Sequence, residues 1–144
     1  MLSVKRLDLA DARVLIAGAK VKAAEIGVPM CIAVTDESGN LIALEKMDGA
    51  KTPGVTLAID KSFTASGTRK PTHELQEASQ PGKPAFGVTS ALGGRMVVIA
   101  GGVPIQSEGV VVGAIGVSSG TADQDLEVAE AGIRALVDSA TFKP

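Results

Sequence analysis

The sequence contains few of the side chains that most often carry chemistry. Among 144 residues there is one histidine, His73, and one cysteine, Cys31. The cysteine count excludes an intramolecular disulfide and a cysteine-rich zinc site, and the histidine count excludes a multi-histidine metal site within one chain. Tryptophan and tyrosine are absent and only three residues are phenylalanine. This composition argues against nucleic-acid binding by base stacking.

Strong net charge and long apolar runs are missing as well. A formal net charge of -2 provides no basic surface for nucleic acid. The longest apolar region, residues 96–117, is interrupted by glycines, Pro104, Gln106 and Glu108, and the N-terminus lacks the apolar stretch of a signal peptide. We therefore expect a cytoplasmic protein without a membrane or nucleic-acid partner. The length and the 45% hydrophobic content predict a single domain over residues 1–144.

Three long stretches carry apolar residues at helical spacing. The first begins at Asp8, a favourable N-cap residue, and stops at Gly27. The last follows Thr121 and Asp123, either of which can serve as its N-cap. The pattern predicts helices over residues 8–26, 53–67 and 122–138, and a short helix over residues 72–79.

Short β-prone runs lie between these helices. The first two flank a turn-forming segment, residues 36–40, and predict a hairpin. The most apolar run, residues 110–118, is expected to be central in the sheet. The fold class is therefore α/β in the α+β sense, with an antiparallel five-stranded sheet flanked by helices. The predicted strands are residues 30–35, 41–46, 96–100, 103–106 and 110–118.

An ordered set of short motifs runs from Leu7 to Leu136. Together they resemble the HbpS/GlcG-like haem-binding family, which also includes the C-terminal domain of PduO-type proteins of corrinoid metabolism. The resemblance implies a profilin-like fold, a homo-oligomer, and haem or a corrinoid as ligand. The motifs are Asp36-x-x-Gly39-x-Leu41, Met47-Asp48-Gly49-Ala50, Lys61, Arg69-x-Pro71-Thr72, the run from Gly101 to Ser118, and Gln124-Asp125.

His73 is the candidate ligand of haem iron or, alternatively, a catalytic general base. It follows Thr72 at a predicted helix start, where the positive end of the helix dipole favours the neutral imidazole that either role requires. A surface or capping role is the competing interpretation. Thr72 is a candidate oxygen ligand. Met47 is a candidate soft ligand for the iron, or a packing residue beside a turn.

Two cations and one carboxylate could hold or activate an anionic ligand. Lys61 and Arg69 are eight positions apart and would share one face of a continuing helix, where they could clamp a carboxylate or a haem propionate. A solvated basic face with Lys70 is the alternative. Asp48 could act as a catalytic base, orient one of these cations, or stabilise its own turn.

Glycine and serine residues beside the predicted strands provide backbone candidates. Gly101 and Gly102 would permit close approach of a ligand, or form a β-bulge. The amides of Ser118, Ser119 and Gly120 precede a predicted helix and could bind an anion, or take part in ordinary N-capping.

Two functions of different class agree with these residues. One is a small-ligand-binding protein that holds haem, a corrinoid or another small anionic ligand as a sensor, carrier or accessory protein. The other is an enzyme of a catabolic pathway, a tautomerase, dehydratase or lyase acting on a small hydroxy- or keto-acid, with His73 or Asp48 moving a proton. The sequence does not decide between them.

Overall fold

The computed structural model describes residues 1–144 and contains three α-helices around one sheet. The sheet has four strands in the order β2-β1-β4-β3, and all neighbouring strands are antiparallel. A one-turn 3₁₀ helix spans Thr72–Leu75, and Val88–Gly94 contains two short 3₁₀ turns separated by a kink at residues 91–93. The main elements are α1 (Leu9–Glu25), β1 (Cys31–Asp36), β2 (Leu41–Lys46), α2 (Gly54–Thr68), β3 (Gly102–Ser107), β4 (Val110–Ser118) and α3 (Ala122–Val137).

Cap chemistry fixes the ends of two of the predicted helices. Asp8 accepts a hydrogen bond from the Asp11 amide, and the Asp11 side chain accepts one from the Asp8 amide, which forms a capping box at the start of α1. Thr121 and Gln124 form the same box at the start of α3. Each box satisfies backbone amides that have no partner within the helix. The three long helices predicted from the sequence are confirmed to within a residue at each end.

The helices cover the two faces of the sheet differently. Helices α1 and α3 pack over one face, where β1 contributes Ile32 and Val34 and β4 contributes Ile115 and Val117. Helix α2 covers the other face, where small side chains such as Ala33 and Ala58 meet. Because β1 and β4 are covered on both sides, they form the buried centre of the sheet, and the expected central position of β4 is confirmed.

Helix α2 lies unusually close to the sheet. A Cβ atom placed on Gly116 of β4 would collide with the carbonyl oxygen of Ala58 and would lie 2.5 Å from the amide nitrogen of Ser62. Both of these atoms belong to the helix backbone, which cannot move aside as a flexible side chain can. The absence of a side chain at Gly116 therefore sets the distance between α2 and the sheet.

The prediction of five strands was wrong, because residues 96–100 do not form a strand. The amide of Val97 donates to the Thr64 hydroxyl at 3.0 Å, and that hydroxyl donates to the Arg95 carbonyl at 3.0 Å. The carbonyl of Ile99 accepts from the Thr72 hydroxyl at 2.6 Å. Backbone groups that would join a strand ladder are therefore bonded to threonine side chains of α2 and of the first 3₁₀ helix.

The long connection between α2 and β3 is stabilised mainly by local hydrogen bonds. The short helix predicted over residues 72–79 is only one 3₁₀ turn, Thr72–Leu75. In the following segment, Ala85 donates to the Ala78 carbonyl at 2.8 Å and Val88 to Ala85 at 3.0 Å, while the side chain of Phe86 is exposed. None of the helices has the length and the continuous apolar character needed to cross a membrane.

Candidate ligand-binding site

Lys61 forms a buried ion pair in the centre of the molecule. Its side chain on α2 is 2% exposed, and Nζ donates to Asp125 Oδ2 at 2.7 Å and to the Val117 carbonyl at 3.0 Å. The other carboxylate oxygen of Asp125 accepts from the Gly120 amide at 2.9 Å. We call these four residues the Lys61 network. The network joins α2, the end of β4 and the beginning of α3.

Burial dominates the electrostatics of the Lys61 network. Removal from water raises the pKa of the Asp125 carboxyl, and the opposing hydrogen bond and charge of Lys61 only partly offset this effect. Every buried side-chain nitrogen and oxygen in the structure has a hydrogen-bond partner. The Lys61 ammonium, a candidate clamp for a ligand carboxylate, is therefore placed in the interior with an internal counterion. Sequence reasoning did not give Asp125 a role, because 64 positions separate it from Lys61.

Thr72, Gly101 and Gly102 lie beside this network. Thr72 is fully buried, and its hydroxyl accepts from the Gly102 amide at 3.0 Å. Gly101 has φ +125, and a Cβ atom there would lie 2.5 Å from the Val117 carbonyl oxygen and 3.0 Å from Lys61 Nζ. A Cβ atom on Gly102 would lie 2.5 Å from Thr72 Cγ2. The close approach that these glycines permit is to the chain's own side chains and backbone.

The segment after β4 is also bonded within the chain. Ser118 and Ser119 are buried, and Ser119 Oγ accepts from the Lys51 amide at 2.8 Å. The Gly120 amide is already bonded to Asp125. Ser119, Gly120 and Lys51 line a cavity of about 210 Å³. Anion binding by these backbone amides stays a prediction.

Met47 and Asp48 lie at the sheet edge opposite Gly102. Met47 Sδ accepts from the Met30 amide at 3.4 Å and the side chain packs against the core, whereas Asp48 is exposed. Strand β2 leads into these residues, and three strand spacings separate it from β3, a distance of about 14 Å. Because His73 belongs to the 3₁₀ turn beside β3, the structure does not pair Asp48 with His73 as acid and base.

His73 lies on the surface. It is exposed on the 3₁₀ turn, and the hydrogen bond from the Thr72 hydroxyl to the Ile99 carbonyl joins this turn to the backbone of Ile99, whose side chain is also exposed. No three histidine, cysteine or carboxylate side chains come together as a metal site. His73 is therefore free to bind a ligand from solvent, and it belongs to no cluster of three such side chains.

Arg69 is exposed at the other end of the sheet, where β1 ends and β4 begins. It follows α2 in the left-handed conformation, with φ +60 and ψ +27. Two cavities of about 300 and 610 Å³ share Glu37, Arg69, Val110 and Val111 as lining residues. We call this surface the Arg69 groove. None of the other candidate site residues lines it.

The family follows from comparison with known proteins. Residues 7–134 match a family model described as "Haem degrading protein HbpS-like". The chain belongs to the HbpS-like family. The resemblance indicated by the motifs is thereby confirmed.

Curated relatives of this HbpS-like chain include whole proteins and parts of larger ones. An uncharacterized 15.0 kDa protein from the dhaT-dhaS intergenic region of Citrobacter freundii is 36% identical over 127 residues, which are 88% of this chain and 89% of that protein. The corrinoid adenosyltransferase PduO of the same organism is 33% identical over 90% of this chain but only 39% of its own length. The HbpS-like chain thus spans about two fifths of PduO.

Solved structures share the fold of this HbpS-like chain over nearly its whole length. The crystal structure of Klebsiella pneumoniae protein ORFY has a TM-score of 0.95 at 30% identity and covers 96% of each chain. A crystal structure described as a PduOC–haem complex has a TM-score of 0.88 at 30% identity, covering 96% of this chain and 99% of that one. The mixed α/β fold with an antiparallel sheet and flanking helices is common to this group.

An ion pair beside the Arg69 groove gives this HbpS-like chain a measurable response to pH. The Arg6 guanidinium donates to the two oxygens of Glu37 at 2.9 and 2.5 Å, and this lowers the pKa of Glu37 from its ordinary value of 4.5. Because the pKa of Glu37 is lower in the folded protein, the ion pair stabilises the fold fully at pH values above the ordinary carboxyl pKa. This stabilisation is lost as the pH falls through the lowered pKa of the folded state.

We expect a carbon-13 NMR titration of Glu37 to show a midpoint below 4.5 in the wild type and a higher midpoint in Arg6→Gln. Lys5→Gln is the control, because Lys5 pairs with Glu108 instead. Equal midpoints in the wild type and Arg6→Gln would show that the ion pair does not persist in solution.

Proposed function

We propose that this HbpS-like protein binds haem or a related tetrapyrrole and serves as a carrier, sensor or accessory protein. One observation carries the proposal: a domain that shares this fold over 96% of the chain at 30% identity was crystallised as a haem complex. The family description also refers to haem. The PduO relative, a corrinoid adenosyltransferase, supports a corrinoid as the related ligand.

The surface around His73 carries the kinds of groups that haem requires. Haem binding in proteins uses an axial ligand, apolar contact with the porphyrin and cations near the propionates. His73 offers an exposed imidazole, Lys70 an exposed cation three positions earlier, and Ile99 a side chain that is 47% exposed. The 2.6 Å hydrogen bond from the Thr72 hydroxyl to the Ile99 carbonyl joins the histidine turn to the backbone of this apolar residue. These residues fit one face and one edge of the group.

Bound haem would supply an iron centre and a visible absorption band. The protein's own residues would bind and orient it. A ring nitrogen of His73 would bind the iron, the Lys70 ammonium would bind a propionate, and the Ile99 side chain would pack on the porphyrin. Because His73, Lys70 and Ile99 are all exposed, one chain provides one wall of such a site. We therefore propose a homo-oligomer, in which a second copy covers the open face of the ligand.

A haemin titration followed by absorbance tests the proposal. We expect saturable binding with one haemin per site in the wild type. In His73→Ala we expect the coordination band to be lost and the affinity to fall by about tenfold or more, since a coordinate bond is removed. Glu74→Ala, which changes an exposed neighbour in the same turn, should bind as the wild type does.

Two results would contradict parts of this proposal. Adsorption of haemin without saturation would exclude a haem site. Saturable binding with an unchanged band in His73→Ala would show that the axial ligand is another residue, with Met47 as the next candidate. Sedimentation velocity with and without haemin separately tests the homo-oligomer, and a monomer under both conditions would exclude it.

A further inference from the structure

We propose that the Arg69 groove is a second ligand site, separate from the His73 surface, which binds the carboxylate of a small organic acid with an apolar body. The groove lies where β1 ends and β4 begins, whereas the His73 turn lies beside the start of β3. Because neighbouring strands are antiparallel, the groove and the start of β3 lie toward different ends of the sheet, and residues 69–73 lead from one surface to the other. The charge of Arg69, its backbone conformation and the residues that line the groove support this site.

Arg69 is the uncompensated charge of the groove. Three charged residues line it: Lys5, Glu37 and Arg69. Glu37 is paired with Arg6, and Lys5 is paired with Glu108. Arg69 takes part in none of the chain's seven ion pairs. Its guanidinium can therefore offer two parallel N–H donors to an incoming carboxylate, which is the anion geometry that arginine fits best.

The backbone at Arg69 supports a role for its side chain. The residue directly after a helix that ends in the left-handed region is usually glycine, because a Cβ atom is strained there. Arg69 occupies this position with φ +60. Backbone strain of this kind is concentrated at functional sites. A glycine would form the same helix end with less strain but would provide no cation in the groove.

The lining of the groove selects for an apolar body next to the carboxylate. Val110 is 50% exposed and Val111 lies next to it along β4. The N-terminal segment contributes Leu2 and Val4 to the larger cavity. Cavities of about 300 and 610 Å³ fall within the usual size range of small-molecule sites. A carboxylic acid with a medium-length alkyl chain matches this combination of one cation and several aliphatic side chains.

Isothermal titration calorimetry with hexanoate tests the site. We expect saturable binding to the wild type, at least about tenfold weaker binding to Arg69→Gln, and no binding of hexanamide, because a charge-assisted hydrogen bond is lost in both cases. Arg13→Gln is the matched control: Arg13 is also an exposed arginine outside the chain's ion pairs. It should bind hexanoate as the wild type does.

A second variant separates loss of the ligand contact from loss of the fold. Arg69→Gly relieves the left-handed strain, so its Tm should rise by about 3 °C, while hexanoate binding should be lost. Equal binding of hexanoate to the wild type and Arg69→Gln would overturn the site. If hexanamide bound as tightly as hexanoate, the site would not recognise the carboxylate. If inorganic phosphate bound as tightly as hexanoate, the site would not select a ligand with an apolar body.

Discussion

Lys61→Ala is expected to lower the free energy of unfolding by about 3–5 kcal/mol, because it removes one partner of a buried ion pair. Asp125, which is 2% exposed in the wild type, would lose its counterion, and the Val117 carbonyl would lose the donor now at 3.0 Å. The alanine would also leave a cavity, because Lys61 has the largest fully buried side chain in the protein. Urea unfolding at neutral pH measures the change.

Lys20→Ala is the matched control for burial. The Lys20 ammonium lies 2.7 Å from Glu45, the same distance that separates Lys61 from Asp125, but both side chains of the Lys20 pair are about half exposed. An exposed pair contributes under about 1 kcal/mol. Similar losses in the two variants would show that Lys61 is solvated rather than buried. The double variant Lys61→Met with Asp125→Leu should lose less stability than Lys61→Ala, because it leaves no charge behind.

The second large effect is expected at the contact between α2 and the sheet. Gly116→Ala should lower the free energy of unfolding by about 3 kcal/mol, because overpacking forces backbone to move. The new Cβ atom would collide with the Ala58 carbonyl and lie 2.5 Å from the Ser62 amide nitrogen. Moving α2 away would also disturb the Lys61 network, which depends on the same helix. Thermal and urea unfolding both report this change.

Gly67→Ala provides the control on the same helix. Beyond the adjacent residues and the backbone of its own helix, no atom lies within 4 Å of a Cβ atom placed on Gly67, and the residue is exposed within α2. Alanine should therefore stabilise the helix by about 0.5–1 kcal/mol. If Gly116→Ala and Gly67→Ala changed stability in the same direction, α2 would not be as close to the sheet as the structure places it.

The helix ends could be predicted from the sequence because their signals are local. Asp8 and Thr121 each act on an amide three positions ahead, so a short window of residues contains the whole interaction. The fifth predicted strand failed for the opposite reason. Residues 96–100 are apolar and β-prone, but their partners Thr64 and Thr72 lie about 30 positions earlier. Hydrophobic periodicity carries no information about such contacts.

The candidate site was predictable in part for similar reasons. Helical spacing placed Lys61 and Arg69 on one face, but α2 ends at Thr68, and Arg69 itself takes the left-handed conformation that turns the chain onto a different surface. Lys61 was correctly placed on a helix, yet its counterion Asp125 comes from a distant helix. Gly101 and Gly102 do mark a close approach, and only the structure shows that Lys61 and Thr72 occupy it.

The strand order has a consequence for the nascent chain on the ribosome. Strand β1 ends at residue 36, and its central partner β4 begins at residue 110, so translation separates the two by several seconds at ordinary elongation rates. The delay is longer for helix α1, because its packing partner α3 is among the last elements to leave the ribosome. During this interval one edge of β1 and the apolar side of α1 stay uncovered. The first half of the chain therefore depends on the second for its core, and folding is completed only after translation of α3.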